Sequence, residues 1–120
     1  MGVKKILVVD DDATILDMLK TFLQTKGYEA ETALDGAEGL AKVKSYRPDL
    51  IILDVMMPRM DGYTFIREIK KDAAFRNLPV IVLTAREMMR DMFVQEGIQD
   101  YVMKPFQTEE LLASISKYLH

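Results

Sequence analysis

Short apolar runs alternate along the chain with longer segments whose apolar residues recur at helical spacing. Three runs are almost continuously apolar, as in parallel strands that are covered on both faces: KILVV (Lys5–Val9), LIIL (Leu50–Leu53) and VIVL (Val80–Leu83). A fourth run, Tyr28–Thr32, alternates and carries two glutamates on one side, so it is predicted to be an edge strand. Tyr101–Met103 completes a set of five predicted strands.

The segments between these strands predict helices. In the first, Asp12 is a plausible N-cap and Gly27 a terminator, and the apolar stripe consists of Ile15, Leu19, Phe22 and Leu23. Further helices are predicted over 35–46, 62–71 and 86–96. The last begins after Thr108, with two glutamates at its N-terminus and an apolar stripe of Leu111, Leu112, Ile115, Tyr118 and Leu119.

This alternation predicts a (βα)5 chain, an α/β fold with a doubly wound parallel sheet and helices on both faces. Right-handed crossovers then bring the carboxyl ends of all strands to one edge of the sheet, which is where open α/β folds bind ligands. The length of 120 residues fits one domain over 1–120, and we see no repeat, linker or low-complexity segment.

Composition excludes several classes of function. The net charge is −3 and no lysine or arginine cluster is present, which argues against a nucleic-acid-binding surface. There is no cysteine, so disulfides are excluded, and a reducing cytoplasm suits the chain. No apolar stretch approaches the roughly 18 residues that a membrane span needs, and the N-terminus does not resemble a signal peptide.

Polar residues follow the strands at the edge where a ligand is expected: Asp10, Asp11 and Asp12, then Asp54, Thr84 and Lys104. If the strand order is 2-1-3-4-5, the first and third strands are neighbours, so Asp10, Asp11 and Asp54 share one pocket. Neighbouring carboxylates repel one another, and Mg²⁺ suits such a site because it accepts a few carboxylates and keeps several waters. Thr84 and Lys104 would supply a hydroxyl and a cation on the far side of Asp54.

Four motifs at these strand ends carry a resemblance to a known family: VVDDD, LDVMMPRMDG, VLTA and YVMKPF. The motifs occur in the order of that family and close to its spacing. Essentially the whole chain therefore resembles the response-regulator receiver domain of two-component signalling. The resemblance implies a flavodoxin-like fold with sheet order 2-1-3-4-5, a cytoplasmic location and Mg²⁺ as cofactor, with Mn²⁺ as an alternative.

The resemblance also implies a role for each site residue. Asp54 would be the phosphoryl acceptor. Asp11 would bind Mg²⁺ directly, Asp10 through a metal-bound water, and the carbonyl of Met56 would be a further ligand. Lys104 would pair with the phosphoryl oxygens.

Two further residues would form the switch that the resemblance implies. Thr84 would hydrogen-bond the phosphoryl group, and the rotamer of Tyr101 would follow Thr84. Pro105 would follow a cis peptide bond that aims Lys104 into the pocket.

The expected function is a phosphorylation-dependent signalling switch of a two-component or phosphorelay system. A histidine kinase or histidine phosphotransfer protein would donate the phosphoryl group, and the surface of the fourth helix, fifth strand and fifth helix would change to control an unidentified protein target. We expect no effector domain, no nucleic-acid or membrane contact, and a monomer or a phosphorylation-dependent dimer. The domain is not expected to be an enzyme, although it assists its own phosphorylation and dephosphorylation.

Alternatives remain beside this interpretation. A phosphohydrolase of the haloacid-dehalogenase type would need D-x-D-x-T after its first strand, where this chain has DDDAT, and a cap insertion. A phosphorylation-independent adaptor on a receiver fold stays open because the segment from Thr84 to Gly97 is about two residues shorter than the resemblance implies.

Two groups of residues have more than one reading. Asp12 is interpreted as a helix cap more than as a metal ligand. The apolar stripe of the predicted fourth helix is either core or a partner-docking face; its members are Met88, Met89, Met92 and Phe93.

Overall fold

The structure is a computed structural model, which describes residues 3–54, 62–84, 100–103 and 107–119. At a few of these positions, among them Asp54, Thr84, Tyr101 and Met103, the description is of the backbone alone. Within this part of the chain, no helix is long and apolar enough to cross a membrane.

Strands and helices alternate as the sequence pattern predicts. The strands are β1 (Lys5–Val9), β2 (Glu29–Ala33), β3 (Leu50–Asp54), β4 (Val80–Thr84) and β5 (Asp100–Met103). The described helices are α1 (Ala13–Thr25), α2 (Gly36–Tyr46), α3 (Gly62–Lys71) and the C-terminal helix (Thr108–Tyr118). All strand pairs are parallel and the sheet order is β2-β1-β3-β4-β5, which confirms the predicted doubly wound fold.

The continuously apolar strands bury both faces of the sheet because successive side chains point to opposite sides. Ile6, Val8 and Ile52 pack on one side against α1 and the C-terminal helix. Leu7 and Val9 pack on the other side against α2 and α3. The sheet therefore lies between two helical layers. The carboxyl ends of its strands lie where the apolar runs end in the sequence.

The end of α1 explains why β2 begins one residue later than predicted. Gly27 has φ 92, a left-handed conformation that glycine adopts without strain, and thus ends the helix as expected. The N–H of Tyr28 donates back to the carbonyl of Leu23 at 3.1 Å and belongs to the helix terminus. Pairing with β1 starts at Glu29, whose N–H donates to the carbonyl of Lys4 at 2.9 Å.

The helical stripes differ from the prediction in part. In α1, Leu16 is buried with Leu19 and Leu23, whereas Ile15 and Phe22 are only half-buried. The C-terminal helix begins at Thr108, after an N-cap at Gln107, rather than beyond Thr108. The predicted burial of Tyr118 is wrong, since it is 38% exposed.

The buried positions of the C-terminal helix are Leu111, Ser114 and Ile115, followed by Leu119 just beyond its end. A small serine thus takes a core position that a search for apolar residues passes over. The predicted helix over 86–96, with Met88, Met89, Met92 and Phe93, lies outside the described residues, as does the shortened segment up to Gly97.

Candidate functional site at the carboxyl edge of the sheet

Asp10 continues from β1 into the protein interior and is 1% exposed. Its N–H donates to the carbonyl of Ala33 at 3.1 Å, which extends the pairing with β2 past the last residue of β1. Its Oδ1 accepts the N–H of Asp12 at 3.0 Å. The carboxylate is therefore held by the backbone at the strand exit, in surroundings where a negative charge is costly unless other groups compensate it.

The three consecutive acids lie in three different environments. Asp10 is buried and Asp11, the next residue, is exposed. Asp12 is the N-cap of α1, and its side chain accepts the N–H groups of Thr14 at 2.9 Å and Ile15 at 3.4 Å. The prediction that Asp12 caps the helix is confirmed. Asp10 and Asp11 do not cap α1 and are the two candidate metal ligands at this strand end.

The sheet register brings Asp10 and Asp54 together. Val9 of β1 is paired with Leu53 of β3, and each acid directly follows one member of that pair. Since neighbouring strands lie about 4.7–4.9 Å apart, the two backbone positions are adjacent at the carboxyl edge. The first and third strands are thus neighbours, as a pocket shared by their acids requires.

Thr84 lies on the far side of Asp54, as predicted, at the level of the backbone. Asp54 is paired with Leu83, and Thr84 is the next residue of β4. Thr84 is itself paired with Met103, the last residue of β5, which directly precedes Lys104 in the sequence. Met56, Lys104 and Pro105 lie outside the described residues, as do the side chains of Asp54, Thr84 and Tyr101.

Among the side chains that the structure describes, no three histidine, cysteine, aspartate or glutamate residues converge on one point. The predicted metal set includes the side chain of Asp54 and the carbonyl of Met56, so it stays a prediction. The described residues fit it: Asp10 is a buried carboxylate and Asp11 an exposed one at the same strand end. Carboxylate oxygens are the donors that Mg²⁺ prefers.

Asp35 is a second buried acid that the sequence analysis assigned only to a helix start. It follows β2, is 4% exposed, and its Oδ1 accepts the N–H of Glu38 at 2.8 Å. The Glu38 side chain in turn accepts the N–H of Leu34 at 3.0 Å. The spacing of Asp35 and Glu38 is that of a capping box, although Glu38 accepts the N–H one residue before the cap, and the two bonds together hold the exit of β2.

Comparison with known proteins agrees with this arrangement. The family model described as "Response regulator receiver domain" matches residues 6–116. Response regulator MprA of Mycobacterium avium is 43% identical over 117 residues, which is 96% of this chain and 50% of that protein. The chain thus spans about half the length of that relative.

Solved structures share both fold and sequence with the chain. Chemotaxis protein CheY4 of Vibrio cholerae superposes with a TM-score of 0.92 at 36% identity, over 98% of this chain and all of that one (100%). The receiver domain of sensor histidine kinase PA1611 from Pseudomonas aeruginosa gives a TM-score of 0.88 at 30% identity, over 98% of each chain, and carries a magnesium ion coordinated in its active site cleft. Taken with the acids at the strand exits, these matches show that the chain belongs to the response regulator receiver domain family, whose members are phosphorylation-dependent signalling switches.

Proposed function

We propose that this receiver domain accepts a phosphoryl group on Asp54 and that Asp10 and Asp11 make the transfer depend on Mg²⁺. One observation supports the proposal above the others: the pairing of Val9 with Leu53, which makes the exits of β1 and β3 neighbours. A buried carboxylate at the first exit and an aspartate at the second give the negative oxygen cluster that a divalent cation requires.

The residues that would hold the cation are Asp10, Asp11, Asp54 and the backbone carbonyl of Met56, with Mn²⁺ as a substitute for Mg²⁺. Bound there, the cation would neutralise charge on the phosphoryl oxygens. Asp10 contributes through position: because its Oδ1 already accepts the N–H of Asp12, its carboxylate cannot turn away from the strand end without losing that bond. Asp11, exposed at the same exit, would be a direct ligand of the cation.

The transfer needs no general base because an ionised carboxylate has no proton to lose. An oxygen of Asp54 attacks phosphorus, a new P–O bond forms, and the P–N bond of a phosphohistidine breaks. The electron pair stays on the histidine nitrogen, which takes up a proton from water. Catalysis then consists of in-line positioning and charge neutralisation, to which Lys104 would contribute on the phosphoryl oxygens.

The product is an acyl phosphate, which water can hydrolyse at phosphorus to return the carboxylate and release inorganic phosphate. The same cation and carboxylates would assist both the phosphorylation of the domain and its dephosphorylation, since both reactions pass charge through the phosphoryl oxygens. A phosphoryl group beside the end of β4 would draw the hydroxyl of Thr84 toward it, and Tyr101 would follow. In this way the phosphoryl charge at the acceptor would change the surface formed by the predicted 86–96 helix, β5 and the C-terminal helix.

A histidine kinase or a histidine phosphotransfer protein is the proposed donor, and a protein that contacts this surface is the proposed target. A transcriptional regulator and a hybrid histidine kinase both contain a region similar to this chain. The similarity alone therefore does not identify the class of the target protein. We assign no nucleic-acid contact to this domain, since its net charge is −3.

Intact-mass measurement after incubation with acetyl phosphate tests the proposal. Wild type should gain one phosphoryl group with Mg²⁺ and none with excess EDTA. Asp54→Asn should gain none, because the amide is not a nucleophile of this kind. Lys104→Ala should be phosphorylated more slowly, and Lys70→Ala, a lysine on α3 that donates to the carbonyl of Arg76, is the matched control.

The same samples separate the switch from the adaptor. If wild type shows no adduct, the phosphoryl mimic beryllofluoride is added and its binding is followed by amide chemical shifts. Mg²⁺-dependent shifts around Asp54 would still support the switch with rapid hydrolysis. No adduct and no such shifts would refute it and leave the phosphorylation-independent adaptor as the function.

A further inference from the structure

A groove lies between the last turns of α2 and α3, away from the acids described above. It has a volume of about 430 Å³ and is lined by four apolar residues, of which Val43 and Ile69 are buried and Leu40 and Phe75 are closer to the surface. Leu40 and Phe75 are only half-buried, so apolar surface remains open to a partner. The size lies within the range of about 300–1,000 Å³ that is typical of ligand sites.

The position of the groove sets it apart from the phosphoryl-acceptor site. Helices of a doubly wound fold run antiparallel to the strands they follow, so the last turns of α2 and α3 lie near the amino edge of the sheet. Asp10 and Asp54 lie at the carboxyl edge. A partner in the groove would therefore leave the acceptor site open.

The charges at the rim favour an acidic partner. The groove is lined by two basic and two acidic side chains, Lys44, Lys71, Glu68 and Asp72. Arg47 lies beside it, over Phe75, and adds one positive charge, whereas the whole chain is acidic with a net charge of −3. Lys71 is already paired with Glu68 at 3.1 Å. Lys44 forms no ion pair within the described ranges 3–54, 62–84, 100–103 and 107–119.

Arg47 places a second cation beside the groove. It ends α2 in the left-handed conformation with φ 55, which is uncommon for a residue with a side chain. Its guanidinium lies over the ring of Phe75, 5.9 Å from the centroid. The cation is thus held directly beside the apolar surface of the groove.

We propose that the α2–α3 groove docks an amphipathic helical segment of a protein partner, with apolar residues at i and i+3 or i+4 entering the groove and carboxylates facing Lys44 and Arg47. A groove between two helices with an apolar floor is the usual receptor for such a segment. The carboxylates of the partner would supply negative charge opposite these two cations. Binding at this site is independent of phosphorylation, because the groove and Asp54 lie at opposite edges of the sheet.

A titration of the isotope-labelled full chain tests the proposal by amide chemical shifts. The probe is a short lactam-stapled helical peptide with leucines at i, i+3 and i+7 and glutamates beside them. The comparison peptide carries lysines in place of the glutamates. Only the acidic peptide should shift the amides of 40–47 and 68–75, and Asp54→Asn should bind it with the same affinity as wild type.

Lys44→Glu should weaken the acidic peptide by about fivefold, since an attraction of surface strength becomes a repulsion. Lys26→Glu is the matched control: it reverses an exposed lysine that lies over the Phe22 ring of α1, on the opposite face of the sheet, and should change nothing. Equal binding of both peptides, shifts centred elsewhere, or an unchanged affinity in Lys44→Glu would each overturn the proposal. Loss of phosphorylation in the earlier assay would not affect this result.

Discussion

Replacing Asp12 by alanine should destabilise the domain while leaving its metal requirement unchanged. The structure gives the side chain two cap bonds to α1, one of normal length at 2.9 Å to Thr14 and one weak at 3.4 Å to Ile15. Loss of such a cap costs about 0.5–2 kcal/mol. The first turn of α1 contains no other acid, so the favourable interaction with the helix dipole, about 0.3–1 kcal/mol at exposed sites, is lost as well.

Two opposing effects limit the total. The cap is exposed, which favours the lower end of the range, and removal of one carboxylate relieves repulsion with Asp10 and Asp11. We expect a net loss of about 1 kcal/mol in the free energy of unfolding, or roughly 4 °C in melting temperature for a domain of this size. Asp12→Asn keeps an acceptor oxygen and should lose less than half as much.

Urea denaturation followed by far-UV circular dichroism measures the stability, and intact mass at increasing Mg²⁺ measures the metal requirement. Asp11→Ala is the matched control, because this exposed acid caps nothing: it should raise the Mg²⁺ requirement and change stability by no more than about 0.5 kcal/mol. The reasoning is refuted if Asp12→Ala keeps full stability, or if it raises the Mg²⁺ requirement as much as Asp11→Ala does.

Three further substitutions test the packing and the charges. Gly39→Val should destabilise the domain by about 2 kcal/mol or more by overpacking, because even a Cβ would lie 2.9 Å from Cε2 of buried Phe65; unchanged stability in urea would contradict the packing of α2. Lys42→Met should lower the free energy of unfolding by about 0.5–1 kcal/mol at low salt and by less in concentrated NaCl. The Lys42 ammonium donates to the carbonyl of Thr32, and its Nζ lies 3.6 Å and 3.5 Å from carboxylate oxygens of two glutamates. A salt-independent loss would contradict the electrostatic explanation. Burial, and then the nearby carboxylates, raise the pKa of Tyr46 above its ordinary value, so the unfolded chain loses this proton first and stability should fall above pH ~10 by up to about 1.4 kcal/mol per pH unit. Tyr46→Phe should lack that part of the fall, and identical pH profiles of the two proteins would refute the shift.

The fold was predictable because the strands bury both faces. A continuously apolar run such as Leu50–Leu53 is typical of a strand at the centre of a parallel sheet, and the alternating pattern of β2 assigned it to the edge. Element ends were less predictable. The start of β2 depends on a hydrogen bond from Tyr28 back to Leu23, which follows from the left-handed Gly27 and not from hydrophobicity.

The candidate site was predictable in outline from the acids at the strand exits. The separate environments of Asp10, Asp11 and Asp12 were not, since three identical side chains in a row differ only in what the backbone around them does. The spacing of Asp35 and Glu38 indicates a helix start, but not that Asp35 is buried. The α2–α3 groove had no strong local signal, because it arises from contacts between elements that are distant in the chain.

The position of the phosphoryl group tests the central claim most directly. After incubation with acetyl phosphate and Mg²⁺, borohydride reduction converts an aspartyl phosphate to homoserine, and tandem mass spectrometry of the digested chain locates the changed residue. The account predicts the modification at Asp54 alone, abolished by EDTA and shifted to higher Mg²⁺ concentrations by Asp11→Ala. Modification at Asp10, Asp11 or Asp12 would contradict it, as would modification at Asp54 that persists without a divalent cation.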